Sequence, residues 1–158
     1  MSECAIVDDG PGIRSVYVFH TGNASATASE FSVPLPACWT GASWVGDNVV
    51  PGFLTVGTSQ TDLSIAYAGC VDLPVFIARI NFSVTGKAPP CCRVLVAPPL
   101  TQSPQEIVEV SCDYQTHAVG TGLGVTVNPP TSCACDSPTT LRTEPATWGR
   151  VKAIFRNC

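Results

Sequence analysis

Residues 76–84 (FIARINFSV) set the pattern of the chain. Phe76, Ala78, Ile80, Phe82 and Val84 alternate with Ile77, Arg79, Asn81 and Ser83. A repeat of two sustained over this length is what a strand with one buried face requires, and a helix does not put those positions on one side. Its β-branched and aromatic residues suit a pleated, half-buried surface. Residues 85–90 (TGKAPP) are turn-formers, and residues 93–97 (RVLVA) resume an apolar run. The pair reads as a central hairpin.

The same alternation recurs along the chain. Residues 15–20 place Val16 and Val18 opposite Tyr17 and Phe19. Residues 30–35 alternate through Phe31, Val33 and Leu35, and residues 63–68 through Leu63, Ile65 and Tyr67. Shorter strands are expected at 4–7, 53–56, 107–112 and 122–128, with loops at 21–28, 69–74, 98–104 and 113–120. The longest irregular stretch is 37–52. Residues 129–146 form a Pro- and Cys-rich linker, followed by a last strand at 147–156. This makes about nine or ten short strands separated by Gly, Pro and Asn turns, with no helical period. The expectation is an all-β sandwich or jelly roll over residues 1–158 as a single domain. One strand beyond a linker is not stable alone, so 147–156 must join a sheet of its own subunit or of a neighbour.

Charge changes this picture. Charged residues make up only 13% of the chain, about half the usual roughly 25%, and mean hydropathy is +0.25. So little charge implies a surface of small polar residues or one that is covered by other copies or partners. The net charge is −4, with no basic patch, which argues against nucleic acid. No apolar run is long enough to span a membrane, and Met1–Cys4 does not read as a signal peptide.

Nine cysteines run from end to end: Cys4, Cys38, Cys70, Cys91, Cys92, Cys112, Cys133, Cys135 and Cys158. There is no Cys-x-x-Cys, and His20 and His117 sit apart from any cysteine pair, so disulfides in an oxidising compartment are expected rather than zinc. Adjacent Cys91 and Cys92 face opposite ways in a strand and need different partners. An odd count leaves one thiol over. Cys158 either reaches another chain or closes onto Cys4 or another intrachain partner.

Catalytic signatures are missing: there is no nucleophile elbow, phosphate loop, zinc-protease motif or dinucleotide fingerprint, so no enzyme is expected. Asp8, Asp9, Asp47, Asn48, Asp62 and Asp72 are hard oxygen donors in loops. Calcium is therefore the one cofactor considered, although Asp and Asn are also ordinary turn residues. Trp39 and Trp44 in the long loop either stack on a sugar or cover the core. Asn23 heads a glycosylation triplet; Asn81 heads another, within the central strand.

ASEFSVPLP at 28–36 and PVFIARINFSVTG at 74–86 resemble strands of the cohesin-like and carbohydrate-binding-module sandwiches of modular secreted bacterial proteins. The tail TWGRVKAIFR resembles the ends of uncharacterised cysteine-rich secreted bacterial proteins. The resemblance implies a cohesin-like or jelly-roll sandwich. It carries over neither dockerin binding nor any functional residue, since cohesins proper lack this cysteine density.

Two functions are expected. The first is a secreted or cell-surface structural module that self-associates into homo-oligomers or filaments. It would do so by exchange of the 147–156 strand, with Trp148, Val151, Ala153 and Phe155 filling a neighbour's groove, by disulfides, or by both. The alternative is a non-catalytic module that binds a glycan or a protein through the 37–52 loop.

Overall fold

A computed structural model describes residues 4–133 apart from Asn23 and Thr121. The described residues form a β-sandwich of eleven strands and one short 3-10 turn. The strands are β1 (Ala5–Ile6), β2 (Pro11–His20), β3 (Ser25–Phe31), β4 (Ser43–Val49), β5 (Leu54–Thr58), β6 (Asp62–Asp72), β7 (Val75–Thr85), β8 (Cys92–Leu95), β9 (Ile107–Ser111), β10 (Thr116–Val119) and β11 (Gly124–Val127). One sheet runs β10-β9-β3-β6-β5. A second runs β2-β7-β4, and a third β1-β11-β8. All pairings are antiparallel except β1 with β11. No described helix is long and apolar enough to cross a membrane.

The core lies between the sheets. Ala78, Ile80, Phe82 and Val84 from β7 meet Val16 and Val18 from β2, Phe31 from β3, and Leu63, Ile65 and Tyr67 from β6. Strand β7 is the centre of its sheet, but its partners are β2 and β4. The expected hairpin with 93–97 does not form. The run at 93–97 instead supplies β8, paired to β11, and an isolated bridge from Ala97 to Ser32. Turn residues after a strand show that the chain reverses; they do not say which strand it returns to.

The alternation within β7 also breaks. Opposite the Val18–Phe19 step the register shifts, so that Ala78 pairs with Val18 but Phe76 pairs with Phe19. This is a β-bulge. Ile77 and Ala78 are both buried, and Phe76 turns to the outer face, against the expectation that it shares the core side.

The second half of the loop expected at 21–28 belongs to β3, which begins at Ser25 and ends at Phe31, short of the end of the expected 30–35 strand. Ala and Ser on a strand with one trough-like face hide a strand signal. Likewise the 37–52 segment is only partly irregular: Ser43–Val49 is β4, on the edge of the second sheet. The turn at 69–74 starts later, because β6 continues through Cys70 to Asp72, and 113–120 contains β10.

Three disulfides staple the described fold. Cys38 pairs with Cys92, Cys70 with Cys112, and Cys91 with Cys133, at Cα separations of 5.6, 5.4 and 5.8 Å. The neighbours Cys91 and Cys92 thus tie the start of β8 to two different segments. Cys4 is also disulfide-bonded. Cross-links of this density fit an oxidising environment.

Candidate functional site

The outer face of the five-stranded sheet holds a trough. Register defines it: Leu54, Ala66, Ala28, Val110 and Thr116 form one cross-strand row, and Val56, Ser64, Glu30, Val108 and Ala118 the next. The small residues Ala28, Ala66 and Ser64 make the floor with Glu30. Leu54 and Val56 stand as one wall, Val108 and Val110 as the other. Leu54 and Val56 are 76% and 75% exposed, which is unusual for paired aliphatic side chains on a strand. The walls belong to strands three steps apart, hence about 14 Å between their axes at roughly 4.8 Å per strand. An α-helix with side chains is about 10–12 Å across. The trough is open to solvent and its volume is about 260 Å³.

The trough has a charge signature. Glu30 is the ionisable group on its floor, and its Oε1 accepts hydrogen bonds from Ser64 Oγ at 2.8 Å and from Gln102 Nε2. No Lys or Arg occurs anywhere in 15–78 or 94–141, so none of the five strands of this sheet carries one. Asp62 and Asp72 are the end residues of β6, Glu106 and Asp113 flank β9, and Glu109 lies within it. Residues 147–156, in contrast, contain Arg150, Lys152 and Arg156 and no acid.

The residues singled out from sequence fall elsewhere. Trp39 is 2% exposed. Its ring centroid lies 5.2 Å from that of Phe82, and its Nε1–H donates to Asp8 Oδ2 at 2.9 Å. It is a core residue and cannot stack on a ligand. Trp44 is half-buried against the core, and its Nε1–H donates to Asp47 Oδ1 at 3.0 Å. The two rings therefore do not form a shared exposed face in 37–52.

The acidic candidates for calcium do not converge. Asp47 accepts hydrogen bonds from the backbone N–H and hydroxyl of Ser59 at 2.8 and 2.6 Å. Asp9 pairs with Arg14 at 3.1 Å, Asp72 accepts from Ser25, and Asp62 from Thr101. Asn48 Oδ1 accepts from Arg79 and Asn81. Asp8 is buried at 3% exposure, where Oδ2 also accepts from the Ala88 N–H and Oδ1 has no protein partner. Among the described residues no three acids, histidines or cysteines cluster as metal ligands would.

One buried polar relay joins the layers. His20 Nδ1 lies 2.8 Å from the Tyr67 hydroxyl, and His20 Nε2 lies 3.0 Å from Glu109 Oε2. The Tyr67 hydroxyl donates to Ser29 Oγ at 2.7 Å. Burial raises the Tyr67 hydroxyl to about 12. The Ser29 hydrogen bond pulls it down, and the Glu109 charge adds to the rise. His20 and Tyr67 are buried, so the relay pins β2 to β3, β6 and β9 and does not face a substrate. His117 is exposed on β10, with Nε2 3.2 Å from Ser111 Oγ.

Asn23, Cys135, Cys158, Trp148, Val151, Ala153 and Phe155 lie outside the described residues. The trough was missed from sequence. The available signal was the run of apolar or small residues (Leu54, Val56, Ser64, Ala66, Ala28, Val108, Val110) and the absence of any Lys or Arg at the outward positions of β3, β5, β6 and β9, where solvated strands normally alternate to polar residues.

No family model matches the chain, and no curated protein matches it. Two solved structures do. One is a cohesin module from a family 33 glycoside hydrolase of Clostridium perfringens, with a TM-score of 0.59 at 8% identity over 80% of this chain and 92% of that one. The other is the sixth cohesin of scaffoldin B from Acetivibrio cellulolyticus, in complex with a Cel5 dockerin, with a TM-score of 0.54 at 12% identity over 80% and 94%. At such identities the likeness concerns the fold, and the fold of this chain is cohesin-like.

Proposed function

We propose that the chain is a non-catalytic protein-docking module of the extracellular space or cell surface, and that its trough takes an amphipathic segment of a partner. The observation that carries this reading is the trough itself: an apolar channel on a regular sheet, between wall strands whose axes lie about 14 Å apart, with small residues on its floor. A face so exposed and so apolar marks an interaction site. Helix-in-groove recognition needs this shape. The solved neighbour in complex with a dockerin supports a protein partner. The acid-only surroundings point to a basic segment, since opposite charge steers association and disfavours wrong partners.

The test is selection from a displayed library of amphipathic helices against the oxidised chain. Basic sequences should be enriched, and their binding should be lost in Leu54→Asp and Val110→Asp, whose side chains point away from the core. Enrichment that survives both substitutions would place binding elsewhere and refute the reading.

A second reading is favoured by the charge asymmetry between sheet and tail. In it the basic 147–156 segment of one copy occupies the trough of another, head to tail, which builds homo-oligomers or open filaments. Sedimentation equilibrium of the full chain should then show association that Val151→Asp with Phe155→Asp removes. A chain that is monomeric at all concentrations would refute self-association and leave docking of a separate protein standing. Non-reducing electrophoresis of Cys158→Ser separates a covalent multimer from a non-covalent one.

A further inference from the structure

The opposite sheet presents a different surface. On the outer side of β2-β7-β4, Tyr17 and Phe19 are 57% and 55% exposed, and Phe76 packs between them, with ring centroids 6.0 and 5.4 Å away. The bulge in β7 creates this cluster. Uninterrupted alternation from Val84 back through Ala78 would bury Phe76; the register shift swings it outward onto the other two rings. Bulges disrupt the ladder and re-aim side chains, and they concentrate near functional sites.

Beside the rings runs a polar line already set by hydrogen bonds. Tyr17 pairs across the strands with Arg79, and Arg79 with Asn48. Asn48 Oδ1 accepts from Arg79 Nη2 at 3.3 Å and from Asn81 Nδ2 at 2.6 Å, while Ser15 Oγ donates to Asn81 Oδ1 at 2.8 Å. The amides hold the guanidinium against the sheet. Among the described residues Arg79 makes no ion pair with a carboxylate. The outward positions of these three strands carry no acid, in a chain whose net charge is −4. This face is therefore electropositive on an acidic molecule, and the group that complements it is an anion attached to something apolar enough to lie on rings.

We propose that the Tyr17–Phe19–Phe76 cluster and Arg79 form a binding site for an acidic polysaccharide. Sugar C–H faces would lie on the rings, and a uronate carboxylate would meet the guanidinium. Aromatic faces supply apolar area at little entropic cost, and the Asn48 amide and the guanidinium supply planar donors for carboxylate and hydroxyl oxygens. Single-stranded nucleic acid also combines stacking with anions, but it needs a basic groove along its backbone, and this face offers one guanidinium. The basic 147–156 segment is repelled by Arg79 and finds no acid here.

Affinity electrophoresis of the full oxidised chain through gels containing polygalacturonate, its methyl ester or a neutral glucan tests the proposal. Polygalacturonate should retard the chain. Tyr17→Ala or Phe19→Ala should weaken retention roughly tenfold, with the circular-dichroism spectrum unchanged because both side chains are exposed. Arg79→Gln should weaken binding to polygalacturonate and bring it down to the level seen for the methyl ester. Retention that is absent in polygalacturonate would overturn the site. So would retention unaffected by both ring substitutions, or equal for acid and ester in the parent chain.

Discussion

Removing the Trp39 ring should cost the fold, not a ligand. The ring is enclosed, touches Phe82, and holds one oxygen of a buried carboxylate whose other oxygen has no partner. Truncating a core tryptophan to alanine costs about 3–5 kcal/mol in cavity and transfer terms. Losing the Nε1–H leaves Asp8 with only the Ala88 N–H at 3.2 Å, which adds roughly 1–3 kcal/mol for an under-satisfied buried group. Trp39→Phe separates the two effects: it keeps most of the apolar area and forfeits the donor, so its cost should be about 1–3 kcal/mol. Asp8→Asn in the Trp39→Phe background should recover part of that loss, because a neutral amide is cheaper to leave under-bonded than a carboxylate. Trp44→Ala is the control. That ring is half-buried and its cost should be clearly smaller than that of Trp39→Ala. Urea unfolding of the oxidised protein, followed by circular dichroism, measures all four. A Trp39→Ala variant less than about 1 kcal/mol below the parent, or one that kept its stability and lost glycan retention, would show that the ring is a ligand platform after all.

The Tyr67 hydroxyl gives a pH prediction. Its value of about 12 lies above the ordinary 10, so the folded state holds the proton more tightly. That contribution is whole below pH 10 and is lost as pH rises through 12, about 3 kcal/mol in all. Rapid-mixing unfolding should show this alkaline loss in the parent and not in Tyr67→Phe; an identical profile in both would refute it. Replacing Cys70 and Cys112 by serine opens a loop with a sequence separation of 42 and should cost about 4 kcal/mol in the chain-entropy account, measured by thermal unfolding. Gly57 has φ +83°, and a Cβ there would collide with the Asp62 carbonyl oxygen. Gly57→Ala should therefore destabilise by at least about 2 kcal/mol in denaturant titration and displace the β5 wall of the trough. A near-neutral result would mean that β5 is free to shift.

The sandwich was legible because one buried face per strand leaves a period of two. That held for Val16 and Val18, for Leu63, Ile65 and Tyr67, and for Ala78 through Val84. The errors have physical sources. Period two cannot show a bulge, so it puts Phe76 on the core side, where the structure does not. Strand β3 opens on Ser, Ala, Thr, Ala and Ser, whose weak apolar contrast resembles a loop, and β4 carries its own bulge between Trp44 and Gly46, which erases its alternation. Pairing partners are long-range facts: β7 joins β2 and β4 across many residues, and nothing local in 85–97 reports it. The trough was illegible for the same reason. Its floor and walls come from four strands, and its shape depends on which alanine lies opposite which leucine.

The scarcity of charge then acquires a direction. With few ionisable residues, each cation's position matters, and the cations avoid one sheet altogether. Arg79 stands on the outer face of β2-β7-β4, while the five-stranded sheet has acids at its strand ends, Glu30 in its trough and no Lys or Arg. A sandwich needs neither arrangement to fold, because these positions point away from the core. What the partition does is give the two outer faces opposite electrostatic preferences. A basic amphipathic segment is drawn to one and turned away by the other, and an anionic polymer meets the reverse. The two proposed sites are therefore separable by experiment. Leu54→Asp should leave polygalacturonate retention untouched, and Arg79→Gln should leave the binding of a basic helix untouched. Loss of both activities in either variant would mean that the faces are not independent.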